Sequence, residues 1–67
     1  MKVKVNGESR ELPEGTATIR DLLDALRFSF PLLIVRVNGR LVERGAYAAT
    51  HVSEGDEVDV YHLVSGG

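Results

Sequence analysis

Glu54-Gly55-Asp56-Glu57-Val58-Asp59-Val60-Tyr61-His62-Leu63-Val64-Ser65-Gly66-Gly67 closes the chain, and the fold turns on how that stretch is read. Glu54-Gly55-Asp56 has the residues of a turn, and the valines at 58 and 60 give the following run, Glu57 to Val64, one apolar strand face. The last two residues are both glycine. With no Cβ they can lie fully extended and enter a slot too narrow for any other residue. A strand that ends this way presents its terminal carboxylate as a deliverable group, and it must be well paired to support that tail. The expected division is a folded unit over 1–64 and a flexible Ser65-Gly66-Gly67 tail.

The segments upstream supply the partners for that strand. Leu32 to Val37 is apolar and rich in β-branched residues, and it meets Asn38-Gly39 and then Arg40-Leu41-Val42. Asn-Gly is the dipeptide best suited to the positive φ angles of a type I′ turn, so this is a hairpin. The same signal stands at Asn6-Gly7, after the alternating Lys2-Val3-Lys4-Val5. Its second strand, about Glu8 to Leu12, is mostly polar and stops at Pro13, as suits a sheet edge. Both Asn-Gly pairs read as turns and nothing more.

Between the hairpins the period changes. Ile19, Leu22, Leu23 and Leu26 recur at helical spacing, while Arg20, Asp21, Asp24 and Arg27 occupy the other side. That predicts a one-sided helix lying on the sheet. Thr18 with Asp21 fits a capping pattern at its start, and Pro31 requires it to have stopped. Glu43 to Thr50 has no clean period and suits a short helical turn anchored by Tyr47. The whole is an α+β layout, one helix on a four- to five-stranded mixed sheet. Its expected core is Val3, Val5, Ile19, Leu22, Leu23, Leu26, Val35, Val37, Leu41, Val58 and Val60.

Composition narrows the function. Sixty-seven residues make one domain with one small core, and a substrate pocket of roughly 300 Å³ would consume much of it, so an autonomous enzyme is not expected. The net charge is −2 and the eight basic residues form no run, which disfavours nucleic-acid binding. No cysteine is present, so no thiol is available as nucleophile, redox centre or metal ligand, and a reducing cytoplasm is the expected location. The N-terminal residues lack the apolar core of a signal peptide, and no stretch is long and apolar enough for a membrane helix. His51 and His62 have no second ligand at metal-site spacing, so no metal is expected. Ser65 has no histidine base beside it in the sequence and reads as a small residue compatible with a narrow channel.

Strand alternation with Val58 and Val60 inward puts Asp59, Tyr61 and Leu63 on the opposite face, and Ile34 joins them if Val35 points inward. Tyr61, Leu63 and Ile34 are therefore the candidate docking residues beside the tail. Glu54, Asp56, Glu57 and Asp59 form an acidic cluster that reads as a solvated surface, with steering toward a basic partner as the alternative.

Three groups of residues carry a resemblance over the whole chain: Val35-Arg36-Val37-Asn38-Gly39, Leu41-Val42-Glu43-Arg44 followed by Tyr47, and the Gly55-Asp56 turn before a strand that runs into Gly66-Gly67. Together these resemble the ubiquitin-like β-grasp sulfur carriers of the ThiS/MoaD type. The absence of prolines just before the glycines is more like the thiamine-biosynthesis branch. The resemblance implies a carrier that is not itself an enzyme. A ThiF-like, E1-like adenylyltransferase would activate the Gly67 carboxylate with ATP and magnesium of its own, the carrier binding no cofactor. A persulfide donor, a cysteine desulfurase, would supply sulfur to make a thiocarboxylate. A ThiG-like thiazole synthase would then receive it. Molybdopterin or cysteine synthesis, or conjugation to proteins through Gly67, are the other uses that such a tail serves.

Overall fold

The computed structural model describes residues 1–28 and 32–62. Lys2–Val5 forms β1 and Glu8–Glu11 forms β2. Asn6 and Gly7 between them have φ of 51° and 84°, the two positive angles that an Asn-Gly hairpin turn requires. Leu33–Val37 and Arg40–Val42 form β3 and β4, and Asn38 and Gly39 repeat the geometry at 51° and 85°. Glu57–His62 forms β5. The sheet order is β2-β1-β5-β3-β4. β5 thus lies in the middle, parallel to β1 and antiparallel to β3, so the last strand is gripped by both hairpins.

Ile19–Ala25 forms α1. Thr18 Oγ1 accepts from the Asp21 amide at 3.2 Å, and Asp21 Oδ2 accepts from the Thr18 and Ala17 amides at 3.1 and 3.0 Å. These backbone donors hold the Asp21 carboxyl below its ordinary pKa, because they favour its ionised form. The helix stops well short of Pro31, for a local reason. The Phe28 amide donates to Leu23 and the Arg27 amide to Asp24, at 2.8 and 3.2 Å, and Arg27 has φ 61°. This is a Schellman closure with an arginine where glycine is usual.

The segment after β4 holds the expected short helical turn, with Tyr47 buried. A 3₁₀ turn spans Arg44–Ala46. Beyond it the Tyr47 and Thr50 carbonyls accept from the amides of Arg20 and Ile19, at 3.0 and 2.8 Å. Two of the four donors that any helix start leaves open are thereby satisfied.

α1 buries Ile19, Leu22 and Leu23 against Val3, Val5, Val35, Val58 and Val60, as expected. Leu26 and Val37 lie half-buried at the border. Leu41 corrects the expected core, being 64% exposed. Across the two-residue turn Val35 pairs with Val42 and Arg36 with Leu41, so Val42 takes the inward place and Leu41 the outward one. Leu12, Tyr47 and Val52 complete the core. Among the described residues no helix is long and apolar enough to cross a membrane.

Candidate functional site

β5 has two different faces. Val58 and Val60 are buried beneath α1, while Tyr61 is 50% exposed on the other side. Register brings a second predicted docking residue to it, since Ile34 pairs directly with Tyr61 and is itself 36% exposed. Side chains so paired lie about 5 Å apart at Cβ. The next outward pair is Arg36 with Asp59, joined through Arg36 Nη2 and Asp59 Oδ2 at 3.7 Å. Beyond Arg36 stands Leu41. The uncovered face is thus an aromatic and two aliphatic side chains around one charged pair, a composition suited to the centre of an interface. Leu63, Ser65, Gly66 and Gly67 lie outside the described residues.

Three of the four clustered acids have structural partners. Glu54 accepts from the Lys2 amide at 3.0 Å, Asp56 from the Ser53 amide at 2.8 Å and from Asn38 Nδ2 at 3.1 Å, and Asp59 faces Arg36. Glu54 and Asp56 brace the turn into β5, and Asp59 ties β5 to β3.

The turn asparagines are more than turns. Asn38 Oδ1 accepts from the Glu57 amide at 2.9 Å, at the start of β5. Asn6 bonds both backbone groups of Val60, accepting from its amide at 2.8 Å and donating to its carbonyl at 3.0 Å. Sequence reasoning missed both because the bonded strand lies 19 and 54 residues away, outside any local window. Leu41 was within reach, since counting back from the two-residue turn sets it opposite Arg36.

An open surface groove of about 590 Å³ runs beside the β3–β4 hairpin, lined by Val37, Arg40, Val42, Glu43, Thr50 and His51 among others. A volume of this size is expected to consume much of the core, but the groove is external and leaves the core intact. His51 is bridged to Thr18 at the start of α1. His62 pairs with Leu33. Among the described residues no group of three His, Asp or Glu side chains is placed to hold a metal ion.

Comparison with known proteins agrees with this architecture. The structure is similar to a crystal structure of the thiamine biosynthesis protein ThiS from Geobacter metallireducens, with TM-score 0.85, 32% identity and full coverage of both chains. It also resembles SAMP1 from Haloferax volcanii, at TM-score 0.61 and 23% identity over the whole chain and 98% of that one, a likeness of β-grasp, ubiquitin-like fold. In sequence it is 26% identical to the sulfur carrier protein ThiS of Bacillus subtilis, over 97% of this chain and 98% of that protein. It is 37% identical over all 67 residues to a thiazole synthase from Magnetococcus marinus, and spans only 20% of that protein's length. The model of the ThiS family matches residues 3–67, and the chain belongs to that family of sulfur carriers.

Proposed function

We propose that this protein carries sulfur for thiazole formation in thiamine biosynthesis, on the Gly67 carboxylate. The observation that carries the reading is the extent of the family match, which runs through the terminal Ser65-Gly66-Gly67. The carrier supplies geometry and one reactive group and is not an enzyme. Its own chemistry explains why a partner is needed. A terminal carboxyl has a pKa of roughly 3.5, so near neutral pH it is an anion that resists nucleophiles. Attack of its oxygen on the α-phosphorus of ATP, with loss of pyrophosphate, converts it to an acyl-adenylate with a good leaving group. A ThiF-like adenylyltransferase performs that step with its own ATP and magnesium. The terminal sulfur of a cysteine desulfurase persulfide then displaces AMP to give an acyl disulfide, and a thiol reductant cleaves its S–S bond, being oxidised to a disulfide and leaving the thiocarboxylate for a ThiG-like synthase. The match of this whole chain to one-fifth of a thiazole synthase supports that last partnership. Tyr61, Ile34 and Leu63 are the docking residues in this scheme, and Ser65 and Gly66 thread the narrow channel. The lack of an apolar spanning helix in the described residues is compatible with a cytoplasmic site of action.

Intact mass after incubation with the E1-like enzyme of the same cells, ATP, magnesium, a persulfide donor and a thiol reductant tests the reading. The expected product is heavier by the difference between one sulfur and one oxygen atom. It disappears when Gly67 is deleted, while the fold survives. An isopeptide-linked adduct on other proteins would instead identify a modifier, and recovery of only the free acid would defeat both covalent readings.

A further inference from the structure

We propose that Asn6 is a positioning residue for the carboxyl-terminal segment: its side-chain amide extends the β1 edge by one ladder rung and fixes the stretch of β5 from which residues 63–67 depart. The parallel ladder between these strands begins with the Lys4 amide donating to Asp56 and the Asn6 amide donating to Val58, both at 2.9 Å. The next rung belongs to Val60. No β1 backbone is left to form it, because the chain has turned at Asn6-Gly7 into β2. The Asn6 carboxamide, the same functional group as a peptide, fills the place. Its Oδ1 accepts from the Val60 amide at 2.8 Å and its Nδ2 donates to the Val60 carbonyl at 3.0 Å.

The other edge of β5 needs no such device, since β3 pairs with it as far as His62. Backbone pairing to β1 ends at Val58, so among the described residues the Asn6 amide is what holds the β1-facing edge at Val60. Turn geometry alone does not require the side-chain amide. A φ of 51° favours asparagine but is equally open to glycine, and of the two only asparagine brings the amide. Asn38 performs the comparable task at the opposite end of the strand, on Glu57. The pair provides its own control, because both are first residues of the same kind of turn and one bonds β5 at Glu57 while the other bonds it at Val60.

The consequence for sulfur transfer rests on the proposed carrier function, and the test separates the two. Asn6→Gly and Asn38→Gly each keep the turn and delete one amide. Hydrogen exchange at the Val60 amide needs no partner enzyme. We expect about a tenfold increase or more in Asn6→Gly, beyond any change at Val35, and none in Asn38→Gly. With the cognate E1-like adenylyltransferase, ATP–pyrophosphate exchange is expected to show kcat lowered about tenfold in Asn6→Gly with KM little changed, because the docking face is intact while the tail is misdirected. Asn6→Asp, which keeps the acceptor and loses the donor, falls between. Unchanged exchange at Val60, or a kcat equal to that of Asn38→Gly, overturns the proposal. If the unaltered protein forms no adenylate, the carrier reading fails instead, and exchange at Val60 alone decides whether the latch exists.

Discussion

The two faces of the sheet are built from the same strands, yet one is closed and the other open. On the closed face Val3, Val35, Val58 and Val60 lie under α1, with Leu22 fully buried. On the open face Ile34, Leu41 and Tyr61 stay in contact with solvent around Arg36 and Asp59. Strand alternation generates both, so apolar character alone does not distinguish a folding residue from a recognition residue. What separates them is whether another element covers the position. The helix makes one face the core of the fold and leaves the other available.

The sharpest way to break this contrast is to truncate one leucine from each face. Leu22→Ala is expected to remove about 3 kcal/mol of unfolding free energy, the transfer loss plus the cavity left behind. For a domain this small that is a large share of a stability of roughly 5 kcal/mol. Leu41→Ala is expected to change it by less than about 0.5 kcal/mol, as exposed substitutions usually do. Urea unfolding measures both, and similar losses at the two sites would erase the distinction between the faces. The complementary experiment is functional. Tyr61→Ala should raise KM for adenylation by about tenfold with little change in urea midpoint, the behaviour of a residue buried only when a partner is bound. An unchanged KM would remove the open face from partner recognition.

How far the sequence carries depends on whether the relevant contact is local. The hairpins, α1 with its Thr18 and Asp21 cap, and the inward valines all follow from neighbours in the chain, and they appear where their periods put them. Leu41 departs from its expected place in the core although the hairpin register is countable: alternation sets it opposite Arg36 on the outward face, whatever its hydrophobicity. Asn6 and Asn38 were beyond local reading: an Asn-Gly pair announces a turn, and nothing nearby says which distant strand its amide will meet. In Glu43 to Thr50 the helical turn and the inward Tyr47 were legible, whereas the bonds from its carbonyls to the start of α1 were not. Of the candidate site, the Ile34–Tyr61 pairing was half legible. Alternation set both outward, but only the β3–β5 register makes them neighbours.

The closed face depends on the helix that covers it, so the ends of α1 offer finer tests. At its C-terminal end Arg27 holds φ 61°, a conformation that is costly for a residue with a Cβ. Arg27→Gly is expected to stabilise the fold by about 1 kcal/mol, since glycine is the usual residue at that position of the closure. A gain in urea midpoint checks it, whereas a loss would mean that the arginine side chain contributes more than its backbone costs.

The smallest effect belongs to the other end, and there pH is the probe. Asp21 accepts from the Ala17 and Thr18 amides, which lowers its pKa in the folded protein. The unfolded chain therefore binds a proton more readily than the folded one in acid, and stability rises with pH through that interval. The contribution is complete above the ordinary carboxylate pKa of about 3.9 and is lost as pH falls below it through the depressed folded value. Unfolding of the protein and of Asp21→Asn, compared from neutral to strongly acidic pH, should show a difference in urea midpoint that is constant near neutrality and closes only below that point. The substituted amide cannot ionise, so its own curve lacks this component. A difference that persists unchanged into strong acid would show that the charge on Asp21 is not what secures the start of the helix, leaving Thr18 Oγ1 and the carbonyls of Tyr47 and Thr50 to do so.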